Sequence, residues 1–148
     1  MISFDVNVLI QALYPLHPRH AETRDWLAAT IDRGPFGLSE NVLSAYVRII
    51  TNRRIFPQAP NADAAFRSLE PLRRHPHHVA LRPGPRNHDL FAALCREHHL
   101  RGPDVADAYH AALAIEHHCR FASYDRGFAR FRPKLDWVHP GDEADAGT

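Results

Sequence analysis

Short apolar runs alternating with longer amphipathic ones constrain this chain most. "ISF" (2–4), "FGL" (36–38), "HVAL" (78–81), "RFAS" (120–123) and "LDWV" (135–138) read as strands. Helical periodicity fills the stretches between them, at 7–14, 20–32, 41–52, 62–73, 87–98 and 104–118. Parallel strands need crossover connections, and this alternation supplies them. The sequence therefore predicts an α/β fold with a central parallel sheet of about five short strands and helices on both faces. Pro35, Pro57, Pro60, Pro76, Pro83, Pro85 and Pro103 punctuate the elements, and Ser39 and Asn87 stand where N-caps are expected. No linker or repeat divides the chain, so residues 1–140 read as one domain and the polar stretch 141–148 as a disordered tail.

A chain of 148 residues buries a full core without metal or disulfide staples. The formal charge of +1 argues against a globally basic nucleic-acid binder but leaves room for a local one. Lys134 is the only lysine, and the remaining cations are arginines, which suit bidentate contact with phosphate or carboxylate. Cys95 and Cys119 have the number and spacing of neither a disulfide framework nor a zinc site. The first apolar run is short, carries Asp5 and lacks a basic leader, so it does not read as a signal peptide. No apolar stretch approaches membrane-spanning length, and the expectation is a soluble cytoplasmic protein.

Acids fall at informative places. Asp5 is set into the apolar run "ISFDVNVLI", and a buried carboxylate is costly unless something neutralises it. Asp5 and Asp125 each lie just past the carboxyl end of an expected strand, where open α/β sheets form their ligand crevice. In "GPDVADAYHAALAIEHH", Asp107 shares a helical stripe with Ala111, Ala114 and Ile115, with Asp104 at its edge. Those alanines allow close approach to the sheet, which would carry Asp107 towards Asp5. Glu40 follows the second strand and opens a helix. Each acid also has an ordinary reading: Asp104 and Asp107 as cap and N3 partner, Glu40 as a dipole partner, Asp5 and Asp125 as turn residues. Together they weigh differently. Several carboxylates in one crevice raise one another's pKa values, and a hard divalent cation, Mg²⁺ or Mn²⁺, relieves that repulsion. Such ions usually partner phosphate and activate water, which leads to phosphodiester hydrolysis.

With these acids in place, the chain resembles a PIN-domain ribonuclease, specifically a VapC-type toxin of a toxin–antitoxin pair. "FDVNVLI", "GLSENVLSAYVRIITNRRIF" and "DAYHAALAIEHHCRFASYDRGFARF" carry the resemblance, in that order, from residue 2 to about residue 140. It implies a metal-dependent endoribonuclease that cuts RNA in a structured or exposed loop and is held inactive by a VapB-like antitoxin. Asp5, Asp107 and Asp125 match the family's acidic positions, and Asn7 and Ser123 its accompanying small polar residues. The chain departs from the family at Ala45, where many PIN domains carry their second acid. Glu40 lies more than a turn upstream, as in a subgroup of these toxins. Asp104 is a further outer-shell or second-metal ligand on this reading.

Arg48, Arg126 and Arg130 are the arginines expected to meet RNA phosphates, since backbone contacts dominate nucleic-acid affinity. No HxxxH or Cys/His ligand pattern appears among the twelve histidines, which read as surface residues: His77–His78, His98–His99 and His117–His118 are adjacent pairs pointing to different sides, and His110, one turn beyond Asp107, is the exception to watch. Two rivals remain. A haloacid-dehalogenase-like phosphatase would use Asp5 as nucleophile but needs an acid two residues on, where Asn7 stands. A non-catalytic PIN-like interaction module would predict loss of the acids. A homodimer is carried over from the family, and the apolar faces around Trp26 and Leu27, or Val42 and Tyr46, suit a partner helix or the core alike.

Overall fold

A computed structural model describes residues 1–146 of the chain. The apolar runs pair into one sheet of order β3-β2-β1-β4-β5. Its strands are β1 (Ile2–Phe4), β2 (Phe36–Ser39), β3 (His78–Leu81), β4 (Arg120–Ala122) and β5 (Trp137–Val138). Every pairing is parallel, with Ser3 opposite both Gly37 and Phe121. The helices between are α1 (Val6–Leu13), α2 (His20–Asp32), α3 (Glu40–Ile50), α4 (Ala62–Arg73), α5 (Asn87–Glu97) and α6 (Asp104–Glu116). A short 3-10 helix (Arg126–Phe131) and α7 (Pro140–Ala146) follow β4 and β5.

Alternation along the strands sorts the core into two clusters. Ile2, Phe4, Phe36, Leu38 and Ala122 pack with the apolar faces of α1 to α4. Phe121, Leu81 and Trp137 pack with α5, α6 and the 3-10 helix. On this second side α6 presents Ala108, Ala111, Ala112 and Ala114, all essentially buried. Side chains this small let the helix axis lie close over the centre of the sheet, which fixes where its first turn ends up. Gly37 belongs to the same economy of space: a Cβ there would stand 2.5 Å from the buried Leu81 side chain. Gly37→Ala is therefore expected to cost about 1–3 kcal/mol by overpacking. A fall in the urea midpoint with an unchanged m-value would register it.

The structure departs from the sequence expectation in a few places. β4 ends at Ala122, and Ser123 is buried just beyond it, its N–H still donating to the Val138 carbonyl at 3.1 Å. β5 contracts to Trp137–Val138 because Leu135 turns into the second core. Ser39 caps α3 by accepting from the Val42 N–H at 3.2 Å, as expected. Asn87 does not cap α5: it is the first helical residue, behind Arg86. Asp104 likewise lies inside α6, behind Pro103, with no side-chain capping bond. The tail expected to be disordered from residue 141 is helical through Ala146 instead. Asp142 holds Arg126 through two bonds of 2.9 and 3.2 Å, and Glu143 meets Arg120 at 2.6 Å, so charge pairing docks a segment with little apolar surface. Residues 147–148 of that tail lie outside the described residues.

Leu27, Val42 and Tyr46 are core residues, and Trp26 packs edge-on against Phe4 with ring centroids 6.1 Å apart. The apolar faces considered for a partner helix thus serve the core. Cys95 and Cys119 are free thiols. No helix among the described residues is long and apolar enough to cross a membrane.

Candidate active site

The oddity of an acid in an apolar run resolves at the joint between β1 and α1. The Asp5 N–H still donates to the Ala122 carbonyl at 2.9 Å, as a continuing strand residue would. Its carboxylate has already turned to cap α1, Oδ1 accepting from the Val6 N–H at 2.7 Å. The residue is only 7% exposed, so its remaining oxygen must be satisfied by protein. Oδ2 accepts from the Ser123 hydroxyl at 2.6 Å and from Asn7 Nδ2 at 2.9 Å.

Ser123 ties this joint to the next one. Its Oγ accepts from Asn7 Nδ2 and from the Asp125 N–H, both at 3.0 Å. Asn7 Oδ1 in turn accepts from the Tyr124 N–H at 3.2 Å. The loops after β1 and β4 are thereby locked together by two small polar side chains. Asp125 repeats the geometry of Asp5: it caps the 3-10 helix, with Oδ1 accepting from the Gly127 N–H at 2.7 Å. Two strand ends and two N-caps place two carboxylates at the same edge of the sheet.

The third carboxylate arrives from α6. Asp107 lies in the first turn, and Asp5, Asp104 and Asp125 all act on it electrostatically. Burial raises the Asp107 pKa, the Arg130 guanidinium opposes this, and the three neighbouring acids raise it further. Burial also raises the Asp5 pKa, against the hydrogen bond from Ser123, the charge of His110 and the Val6 N–H, while Asp125 adds to the rise. His110, one turn along α6, stacks near-parallel on Phe121, and burial lowers its pKa against the charge of Asp5. The crevice is therefore a place where negative charge is crowded and partly desolvated.

Other residues singled out from the sequence lie elsewhere or are engaged. Glu40 is exposed at the start of α3 and, with Arg48, lines a groove of about 540 Å³ between α3 and α4. Arg126 is held by Asp142, and Arg130 Nη2 donates to Asp107 Oδ2 at 2.6 Å. Arg48 makes no ion pair among the described residues. The paired histidines do structural work: His77 and His117 bond the carbonyls of Ile31 and Arg82 at 2.7 Å, while His99 and His118 end helices in the left-handed region. Asn, Asp and His tolerate that region better than most residues, so histidine substitutes there for the usual glycine.

The Arg130 contact was not legible in the sequence. Arg130 lies five positions past Asp125, and only the unexpected 3-10 turn directs the guanidinium back to α6. The carboxylate oxygens are hard donors of the kind that Mg²⁺ and Mn²⁺ take. Asp107 Oδ1 and Asp125 Oδ2 receive no hydrogen bond among the described residues. This donor set fits a hard divalent cation. Among the described residues no group of three or more His, Cys, Asp or Glu side chains is already arranged as a metal cage.

A central parallel sheet with a carboxylate crevice at its C-terminal edge defines a class, and the PIN domain family model matches residues 2–133. The chain belongs to the PIN-domain family. Its similarity to particular members is extensive. It is 39% identical over 143 residues to VapC ribonuclease Mb2897 of Mycobacterium bovis, covering 96% of this chain and 97% of that protein. It is 43% identical over 135 residues to ribonuclease VapC25 of Mycobacterium tuberculosis, covering 88% and 93%. Among solved structures, VapBC2 of Rickettsia felis bound to a promoter DNA fragment contains a chain of the same fold. That chain superposes with a TM-score of 0.68 at 14% identity, over 94% of this chain and 98% of the other. FitAcB of Neisseria gonorrhoeae gives a TM-score of 0.64 at 21% identity, over 95% and 99%.

Proposed function

We propose that this chain is the toxin of a toxin–antitoxin pair, an endoribonuclease that hydrolyses RNA phosphodiester bonds with Mg²⁺ or Mn²⁺. What supports the reading is the placement of Asp5 and Asp125 at the ends of β1 and β4 and of Asp107 in the first turn of α6, where the charges of Asp5 and Asp125 raise the Asp107 pKa. Those three carboxylates would hold the ion, Asp104 is a further outer ligand, and Glu40 assists from the start of α3. A divalent cation bound there supplies Lewis-acid polarisation of the phosphodiester and activation of water for in-line attack. Ser123 and Asn7 keep Asp5 in one orientation, so the orientation of this one ligand is set before any substrate arrives. Arg48, Arg126 and Arg130 contribute phosphate contacts. The curated relatives, named ribonucleases at 39% and 43% identity, support the activity, and the solved toxin–antitoxin structures support the fold it rests on. The partners on this reading are RNA, a VapB-like antitoxin and a second copy of the chain, and the compartment is the cytoplasm.

Asn7 also weighs against phosphatase chemistry at Asp5. Both ends of its amide are engaged, with Asp5, Ser123 and the Tyr124 N–H, and an amide N–H is too weakly acidic to protonate a leaving group. The test incubates the purified protein with total RNA and with a small phosphate monoester, each with Mn²⁺ and with EDTA. The expected result is RNA cleavage only with metal and negligible monoester turnover. Turnover of both at equal rates would favour a phosphatase.

Raised pKa values at Asp5 and Asp107 make protons competitors of the metal above the ordinary carboxylate value of 3.8. Mn²⁺ affinity is therefore expected to weaken as the pH is lowered from neutrality towards the carboxylate range, with proton release on binding. Calorimetry in buffers of different ionisation enthalpy measures both. A pH-independent affinity with no buffer dependence would contradict it.

A further inference from the structure

Arg130 was expected to meet RNA, yet in this structure it is engaged within the protein. Its Nη2 donates to Asp107 Oδ2 at 2.6 Å, with the two side chains 29% and 24% exposed. Among the described residues this is the one ion pair made by Asp5, Asp104, Asp107 or Asp125. The guanidinium carbon lies 5.0 Å from the Phe131 ring centroid, which backs it from one side. We propose that Arg130 is an internal counter-cation that competes with the metal ion for Asp107, so that loading the site requires the guanidinium to release that carboxylate. The inference rests on the metal-centre reading above and concerns how the site fills.

Three features support the competition. The ion pair claims one oxygen of a carboxylate that the cation also needs, and among the described residues no ready metal cage stands in the crevice. Arg130 Nε is buried and has no hydrogen-bond partner among the described residues, so the guanidinium is imperfectly satisfied where it sits. A single positive charge with an unmet donor is displaceable by a doubly charged ion that engages several carboxylates at once. Finally, Arg130 rides on the 3-10 helix capped by Asp125, so release of Asp107 occurs within a turn that also carries a second ligand. Without metal, the pair offsets part of the repulsion among the acids. With metal, the freed guanidinium becomes available to phosphate.

The test measures Mn²⁺ binding by calorimetry on the wild type, Arg130→Gln and Arg126→Gln. Arg126→Gln removes an equal charge one residue from Asp125 without touching Asp107. Arg130→Gln is expected to bind Mn²⁺ about tenfold more tightly than wild type, the scale of one charge-assisted hydrogen bond, and Arg126→Gln close to wild type. A purely structural Arg130 would instead weaken binding when replaced. The wild type supplies a second readout: the Arg130 side-chain N–H signal, assigned by its loss in Arg130→Lys, should move when diamagnetic Mg²⁺ is added. Unchanged or weaker Mn²⁺ binding in Arg130→Gln, an equal gain in Arg126→Gln, or an unmoved signal overturns the competition alone. Absence of metal binding in every protein removes the metal centre, and the competition with it.

Discussion

Replacing Asp5 with asparagine is expected to lower metal-dependent RNA cleavage at least about a hundredfold, since loss of an outer-shell partner of a metal ligand already costs about 10–100-fold. The substitution is informative because asparagine keeps the other duty of this residue. It caps helices as well as aspartate does, so the bond to the Val6 N–H survives. Asn7 Nδ2 loses an acceptor, while a buried charge that burial already disfavours is removed. Fold and activity should therefore separate: circular dichroism shows a folded protein that does not cut. Cleavage equal to wild type would show that Asp5 is only a cap.

Ser123→Ala is the second large effect, and it strikes both stability and function. Ser123 is fully buried, and its hydroxyl serves Asp5, Asn7 and the Asp125 N–H together. Alanine leaves the Asp125 N–H without its partner and withdraws a donor from Asp5. The expected cost is about 1–3 kcal/mol in urea unfolding, the desolvation penalty of a buried polar group left unmet. Because the same hydroxyl orients Asp5, Mn²⁺ affinity should fall about 10–100-fold as well. Ser123→Thr retains the hydroxyl and should recover part of the affinity if the pocket admits a methyl group. Full stability and full affinity in Ser123→Ala would mean that the strand ends are locked by something else.

Asp5, Asp107 and Asp125 could be read together from the sequence because their placement follows from periodicity. A carboxylate just past a short apolar run must sit at a strand end, and the alanine stripe of α6 must lie on the sheet. Ser39 and the strand order's parallel character were legible for the same reason, since local pattern and global packing agree there. What stayed hidden depended on tertiary geometry. "RGFARF" has no helical period long enough to betray a 3-10 turn, so Arg130 looked like a free surface cation. "PGDEADA" looked like solvated tail because its anchors, Arg120 and Arg126, are distant in sequence. Glu40 shows the opposite limit: a strand end places it at the correct edge of the sheet, but the outward start of α3 leaves it exposed.

The central claim is that three carboxylates from β1, α6 and the loop after β4 share one divalent cation. Anomalous scattering from a crystal of the active protein soaked in Mn²⁺ tests this most directly. The account predicts a single strong peak in contact with Asp5, Asp107 and Asp125, with Arg130 turned away from Asp107. A peak held by other residues, or none in crystals of protein that cleaves RNA, would contradict it.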